Sequence, residues 1–201
     1  MLKTSPLRLA ILGSGKGSNC RALLEASQKE ALSYTPVLVI SDVADAGILK
    51  CAEEFQILSC FIEPGPFKTK FAEEAQERLV TLLRKAQVDF IALAGFMRVI
   101  KEPLLAAFPG RILNIHPSLL PQFPGLKAWE QAFEAKVDES GCTVHLVDAG
   151  VDTGKILGQS RVLIFKEDTA EALHKRIQEA EHALYPRVVD EFARGLQLKI
   201  S

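Results

Sequence analysis

The chain has 201 residues, 48% of them hydrophobic, and 24 Lys and Arg against 25 Asp and Glu give a formal net charge of -1. That length buries one sizeable core, and the even charge balance excludes the positive excess of a dedicated nucleic-acid binder. Cys20, Cys51, Cys60 and Cys142 show neither a CxxC pair nor ligand spacing, so no metal site and no disulfide framework is indicated.

The apolar run 7–12 is too short for the core of a signal peptide, and no stretch approaches the ~18 apolar residues of a spanning helix, which points to a cytoplasmic protein without membrane contact. After that run comes Gly13, and residues 18–32 show helical spacing through Cys20, Leu23, Leu24 and Ala31. Continuous apolar strands recur at 36–42, 57–62 and 89–96, with helical stretches at about 44–55 and 67–86 between them. A short helix near 102–107, a strand at 111–115, a proline-rich loop, a helix near 127–136 and strands at 141–147 and 155–164 follow. The last helix is expected to open at Asp168, with Glu171 completing a capping box, and Pro186 to kink or end a turn within it. Strands of this type alternating with helices indicate an α/β fold: a Rossmann-like three-layer sandwich whose mostly parallel sheet carries helices on both faces. One domain is expected over 1–201, its halves at about 7–100 and 101–195 sharing a sheet, with the ligand crevice at the carboxyl ends of the parallel strands.

The segment GSGKGSN (13–19) joins the first strand to the first helix, where backbone N–H groups and the helix N-terminus form an anion cradle. Its glycine spacing matches neither the dinucleotide fingerprint nor the nucleoside-triphosphate loop. A single phosphate on Gly17, Ser18 and Asn19 fits better; a plain tight turn needs the glycines only for their backbone angles.

Asn114 and His116 stand two apart at a strand end, so their side chains leave one face together, ahead of Pro117, Pro121 and Pro124. An amide donor beside an imidazole suits acyl transfer, one stabilising an oxyanion while the other moves a proton. Ser118 lacks the glycines of a nucleophile elbow, so direct attack by a substrate amine fits better than a covalent intermediate. Asp148 and Asp152 lie in a Gly-bearing turn from which either carboxylate can reach the imidazole, and spacing does not choose between them. His145 reads as a structural strand residue and His174 as a solvated helix residue. Glu181 interrupts the apolar stripe Leu173, Ile177, Leu184 and Val188, so it points inward and needs either a substrate ammonium or a protein Arg or Lys.

Together GSGKGSN, ALAGFMRVI, ILNIHPSLLPQFPG, VDAGVDTGKIL and EAEHALYP resemble the folate-dependent phosphoribosylglycinamide formyltransferase family, over about residues 7–195. The resemblance implies transfer of a formyl group from the co-substrate 10-formyltetrahydrofolate to the amine of glycinamide ribonucleotide in purine biosynthesis, by a monomer or weak homodimer that uses no metal. It implies that Asn114, His116 and Asp152 are catalytic, that Gly17, Ser18 and Asn19 bind phosphate, and that Glu181 lies near the glycinamide amine. It also implies that the backbone of Met97, Arg98, Val99 and Ile100, with Asn114, holds the folate head, that the loop at 146–152 closes over it, and that Lys70 lies near the folate tail. Lys127, Trp129 and Lys155 depart from the family pattern, as does Lys70 itself, which stands where arginine is common. Methionyl-tRNA formyltransferases and formyltetrahydrofolate deformylases share the Asn-x-His-Pro segment, and a non-catalytic nucleotide-binding protein would share the glycine loop alone.

Overall fold

Strands buried on both faces have no solvent side to make polar, which is why the apolar runs of this chain are nearly continuous. The computed structural model describes residues 5–200, so the ends of the expected domain, 1–4 and 201, lie outside the described residues. Its parallel strands are Leu7–Leu12 (β1), Tyr34–Ser41 (β2), Ser59–Phe61 (β3), Phe90–Leu93 (β4) and Ile112–His116 (β5). Glu139–Leu146 (β6) and Ile156–Leu163 (β7) add antiparallel at one edge, giving one seven-stranded sheet in the order β3-β2-β1-β4-β5-β6-β7. The strand order reverses between β1 and β4, the arrangement of a Rossmann-like doubly wound sheet, in which a crevice opens outside the carboxyl ends.

Helices cover both faces. Ser18–Lys29 (α1), Gly47–Glu54 (α2), Ala128–Glu134 (α5) and Ala170–Ile200 (α6) pack on one face around Leu9, Ile11, Leu113, Ile115 and Val144. Glu73–Lys85 (α3) and Leu104–Ala107 (α4) pack on the other around Ala10, Leu12, Ile91 and Ile112. The alternation along β5 therefore sends Leu113 and Ile115 to the first face and Asn114 and His116 to the second.

Three expectations are corrected. Residues 67–70 are not helical: Lys70 bridges Val99 in parallel and Val99 N–H donates to the Thr69 carbonyl, because this stretch is tied to 97–100. The α6 cap is Thr169, whose Oγ1 accepts from Ala172 N–H at 3.2 Å, while Asp168 instead accepts from Phe165 N–H and pairs with Arg176. α6 runs on through Pro186 to Ile200, which leaves a kink as the remaining expectation there. His174 is half-buried rather than solvated, its ring stacked on Trp129 with centroids 3.9 Å apart.

Candidate active site

β4 ends at Leu93, level with Asn114, and the chain then swings away through Gly95 in a left-handed conformation. β5 runs two residues further, so the sheet face bearing Asn114 and His116 is left uncovered by its parallel neighbour. On the other side β6 pairs antiparallel, placing His145 directly opposite Asn114. The loop after β6 leaves at Leu146 and folds back over this face, which brings Asp152 against both histidines. Gly154 permits that fold: a Cβ there would lie 1.7 Å from the Leu146 carbonyl oxygen.

Asp152 Oδ2 lies 3.4 Å from His116 Nδ1 and accepts from Gly125 N–H at 2.8 Å, while its Oδ1 lies 3.5 Å from His145 Nε2. Burial pushes the Asp152 pKa up, but the neighbouring His145 and His116 rings and the Gly125 N–H outweigh it and hold the carboxyl below its ordinary value. Asp148 is used elsewhere, accepting from Gly150 N–H and Thr153 Oγ1 within its own turn.

Carbonyls only accept, which assigns the imidazole protons. His145 Nδ1 lies 2.8 Å from the Leu146 carbonyl and so carries a proton. In the neutral ring Nε2 is then an acceptor, and Asn114 Nδ2 donates to it at 3.1 Å. That bond fixes the amide, with its second N–H and its Oδ1 still available. His116 Nε2 donates to the Phe123 carbonyl at 2.9 Å, so its protonation states differ at Nδ1, the atom facing Asp152. Burial lowers the His116 pKa, against the Phe123 bond and the Asp152 charge, which raise it. Ser118 is no nucleophile: its hydroxyl donates to the Gln122 carbonyl at 2.6 Å and braces the proline loop.

On the opposite face, α1 starts after Gly17, which is left-handed at φ 84 and whose Cβ would sit 2.7 Å from Ile48 Cα. No side chain caps this helix, so the first-turn N–H groups at Ser18 and Asn19 face outward as donors for an anion. Asn19 Nδ2 donates to Glu181 Oε2 at 2.8 Å, and the buried Asn19 Oδ1 has no partner. Glu181 is 5% exposed and forms no ion pair among the described residues, so the protein Arg or Lys allowed by the sequence is absent. Its pKa is raised to about 7 by burial, with the Asn19 bond pulling the other way.

Met97 N–H donates to Ser14 Oγ at 2.9 Å and Val99 N–H to the Thr69 carbonyl at 2.8 Å. The Arg98 guanidinium turns inward onto Asp42 at 2.7 Å, so any contact Arg98 makes with a ligand is through its backbone. Lys101 Nζ donates to the Ala149 carbonyl at 2.6 Å, tying this segment to the loop that carries Asp152. Lys70 is exposed, with its ammonium 4.3 Å from the Phe67 ring centroid. Lys127 pairs with Glu130.

The structure thus brings Asn114, His116 and Asp152 into one cluster and Asn19 and Glu181 into another, with no hydrogen bond or ion pair joining the two among the described residues. His145 was discounted from sequence; its only signal was a polar residue amid apolar neighbours on an inner strand. Among the described residues no group of three or more His, Cys, Asp or Glu could hold a metal ion, and no helix is long and apolar enough to cross a membrane.

Comparison with known proteins points one way. The family described as Formyl transferase matches residues 7–189. The chain is 42% identical to a phosphoribosylglycinamide formyltransferase of Bacillus subtilis (strain 168), covering 92% of this chain and 93% of that protein. It is 43% identical to the trifunctional purine biosynthetic protein adenosine-3 of Drosophila melanogaster, over 98% of this chain but only 15% of that longer protein. The crystal structure of glycinamide ribonucleotide transformylase 1 from Symbiobacterium toebii superposes with a TM-score of 0.89 at 42% identity, covering 94% of this chain and 89% of the other.

Proposed function

The chain belongs to the formyl transferase family and is an enzyme that formylates phosphoribosylglycinamide in purine biosynthesis, and we propose that its donor is 10-formyltetrahydrofolate and that Asn114, His116 and Asp152 are its catalytic residues. The observation that carries the assignment is one carboxylate, Asp152, set between two imidazoles, with the Asn114 amide hydrogen-bonded to one of them.

The ribonucleotide phosphate sits on the open N-terminus of α1 at Gly17, Ser18 and Asn19. Glu181 and the unpartnered Asn19 Oδ1 form a buried acceptor pair, which suits the glycinamide amine because a buried carboxylate without a cation favours one supplied by substrate. The folate head lies along Met97, Arg98, Val99 and Ile100, beside Asn114 and beneath the loop at 146–152, with its tail toward Lys70.

The amine attacks the formyl carbon and forms a tetrahedral adduct. Asn114 uses its free N–H toward the developing oxyanion, held ready by His145. The His116 Nε2 proton, which the Phe123 carbonyl receives in the free enzyme, is the second donor once the adduct competes for it. With Nδ1 protonated against Asp152, His116 gives its Nε2 proton to the departing folate nitrogen and takes up at the same atom the proton lost by the attacking nitrogen. Collapse gives the N-formyl product and tetrahydrofolate. The partners are small molecules, and the chain works in the cytoplasm as a monomer or weak homodimer.

The test mixes the protein with 10-formyltetrahydrofolate and follows free tetrahydrofolate with and without glycinamide ribonucleotide. Release that depends on the acceptor is expected. Release without acceptor identifies a hydrolase, and no release in either case removes 10-formyltetrahydrofolate as the donor.

A further inference from the structure

Three chain segments meet at the carboxyl ends of the parallel strands, joined by a buried ion pair that the reaction above does not use. Ser14 follows β1, Asp42 follows β2 and Arg98 lies beyond β4. Ser14 Oγ donates to Asp42 Oδ1 at 2.6 Å and accepts from Met97 N–H at 2.9 Å. Arg98 Nε donates to Asp42 Oδ2 at 2.7 Å, and its Nη1 donates to the Phe67 carbonyl. The Asp42 and Arg98 side chains are 2% and 15% exposed.

A buried pair of this kind seldom stabilises a fold more than apolar residues of the same size would, so what it contributes is geometry. Its geometry converges on one segment. Met97 N–H is held from beneath by Ser14, and Val99 N–H is held from the side by the Thr69 carbonyl, in the strip whose Phe67 end is gripped by Arg98. With the Met97 and Val99 N–H groups both held by the protein, the backbone that turns at Arg98 between them is fixed at two points.

We infer that Ser14, Asp42 and Arg98 are positioning residues for the formyl donor: their network holds 97–100 in one conformation, so that its backbone meets a flat, hydrogen-bonding ring system without rearranging. The inference rests on the reading that this segment holds the folate head. Its consequence is specific. Ser14 lies in the glycine loop and Asp42 is bonded to it, yet altering them acts on the donor and not on the phosphorylated acceptor.

Steady-state kinetics with each substrate varied in turn tests this on the full chain. Asp42→Asn and Arg98→Ala each raise the donor KM about tenfold, the effect of losing one charged hydrogen bond, while the acceptor KM stays within about twofold. The double variant is no worse than the worse single, because either change dismantles the same unit. Arg98→Lys falls between, since an ammonium lacks the fork that holds Asp42 and the Phe67 carbonyl together. Equal rises in both KM values, a rise for the acceptor alone, or additive losses in the double variant overturn the inference. Should Arg98→Ala not fold, Ser14→Ala removes only the hydroxyl beneath Met97 and carries the same test, with a rise in donor KM of about threefold expected and no rise overturning it. Loss of acceptor-dependent turnover in the unaltered chain would overturn the reading of the function instead, so the two failures are distinct.

Discussion

The two faces of the sheet carry clusters built on opposite principles. On the α3 and α4 face the carboxylate and both imidazoles have partners from within the protein: Asp152 the Gly125 N–H, with both rings beside it, His145 the Leu146 carbonyl and Asn114, and His116 the Phe123 carbonyl. On the α1 and α6 face the cluster is incomplete, with helix N–H groups uncapped, Asn19 Oδ1 unpartnered and Glu181 buried without a cation. A set that must stabilise a fleeting charge gains by being organised beforehand, because reorganisation during the reaction raises the barrier. A set that must capture a charged substrate gains by lacking what the substrate brings.

Breaking the completed side has the largest expected effect. Asn114→Ala is expected to lower kcat by roughly 10²–10³, the usual cost of one oxyanion donor, with the acceptor KM little changed. Steady-state kinetics at saturating substrates checks this, and near-normal turnover would sink the assignment.

The incomplete side is sharpened by removing its charge. The Glu181 pKa rises from 4.5 to about 7 in the folded chain, so the folded state holds its proton where the unfolded chain has released it. Stability therefore falls as pH rises between those values, by about 3 kcal/mol in all. Glu181→Gln keeps a partner for Asn19 without the buried charge. Denaturant unfolding is expected to show it more stable than the unaltered chain at pH 8 by up to about 3 kcal/mol and little different at pH 5, while the acceptor KM rises. Equal stability at pH 8 would show that the carboxylate costs nothing there.

Gly17→Ala is a smaller perturbation of the same side. It places a methyl group against Ile48 and forces alanine into a left-handed conformation, at about 1–2 kcal/mol. The acceptor KM is expected to rise about tenfold with the donor KM steady. Smallest is His145→Phe, which takes from Asn114 the acceptor that orients its amide: kcat is expected to fall about tenfold, well short of the Asn114→Ala loss. If the two losses matched, His145 would take part in the chemistry directly and not through Asn114.

Much of this architecture is legible along the chain because it depends on neighbours in sequence. Near-continuous apolar runs separated by helical spacing declare a covered parallel sheet, and two-residue spacing at the end of β5 places Asn114 and His116 on one face. The inward position of Glu181 follows from the helical stripe around it. The cap of α6 was misread by one residue because Asp168 and Thr169 are both good caps, and only the Arg176 and Phe165 contacts take Asp168 out of that role.

What the amino-acid order determined by itself was therefore local: the alternation of elements, the glycine turn before α1, the paired amide and imidazole, and the inward carboxylate. Tertiary structure alone decided which groups those side chains meet. It put Asp152 rather than Asp148 beside His116 because the loop after β6 folds back over the sheet. It made His145 a partner of Asn114 through antiparallel register, gave Glu181 a neutral amide from the far end of the chain in place of a cation, and turned Arg98 from the cleft onto Asp42. Periodicity shows which way a side chain faces, whereas its partner is set by strand register and loop closure, which follow from burying the whole core at once.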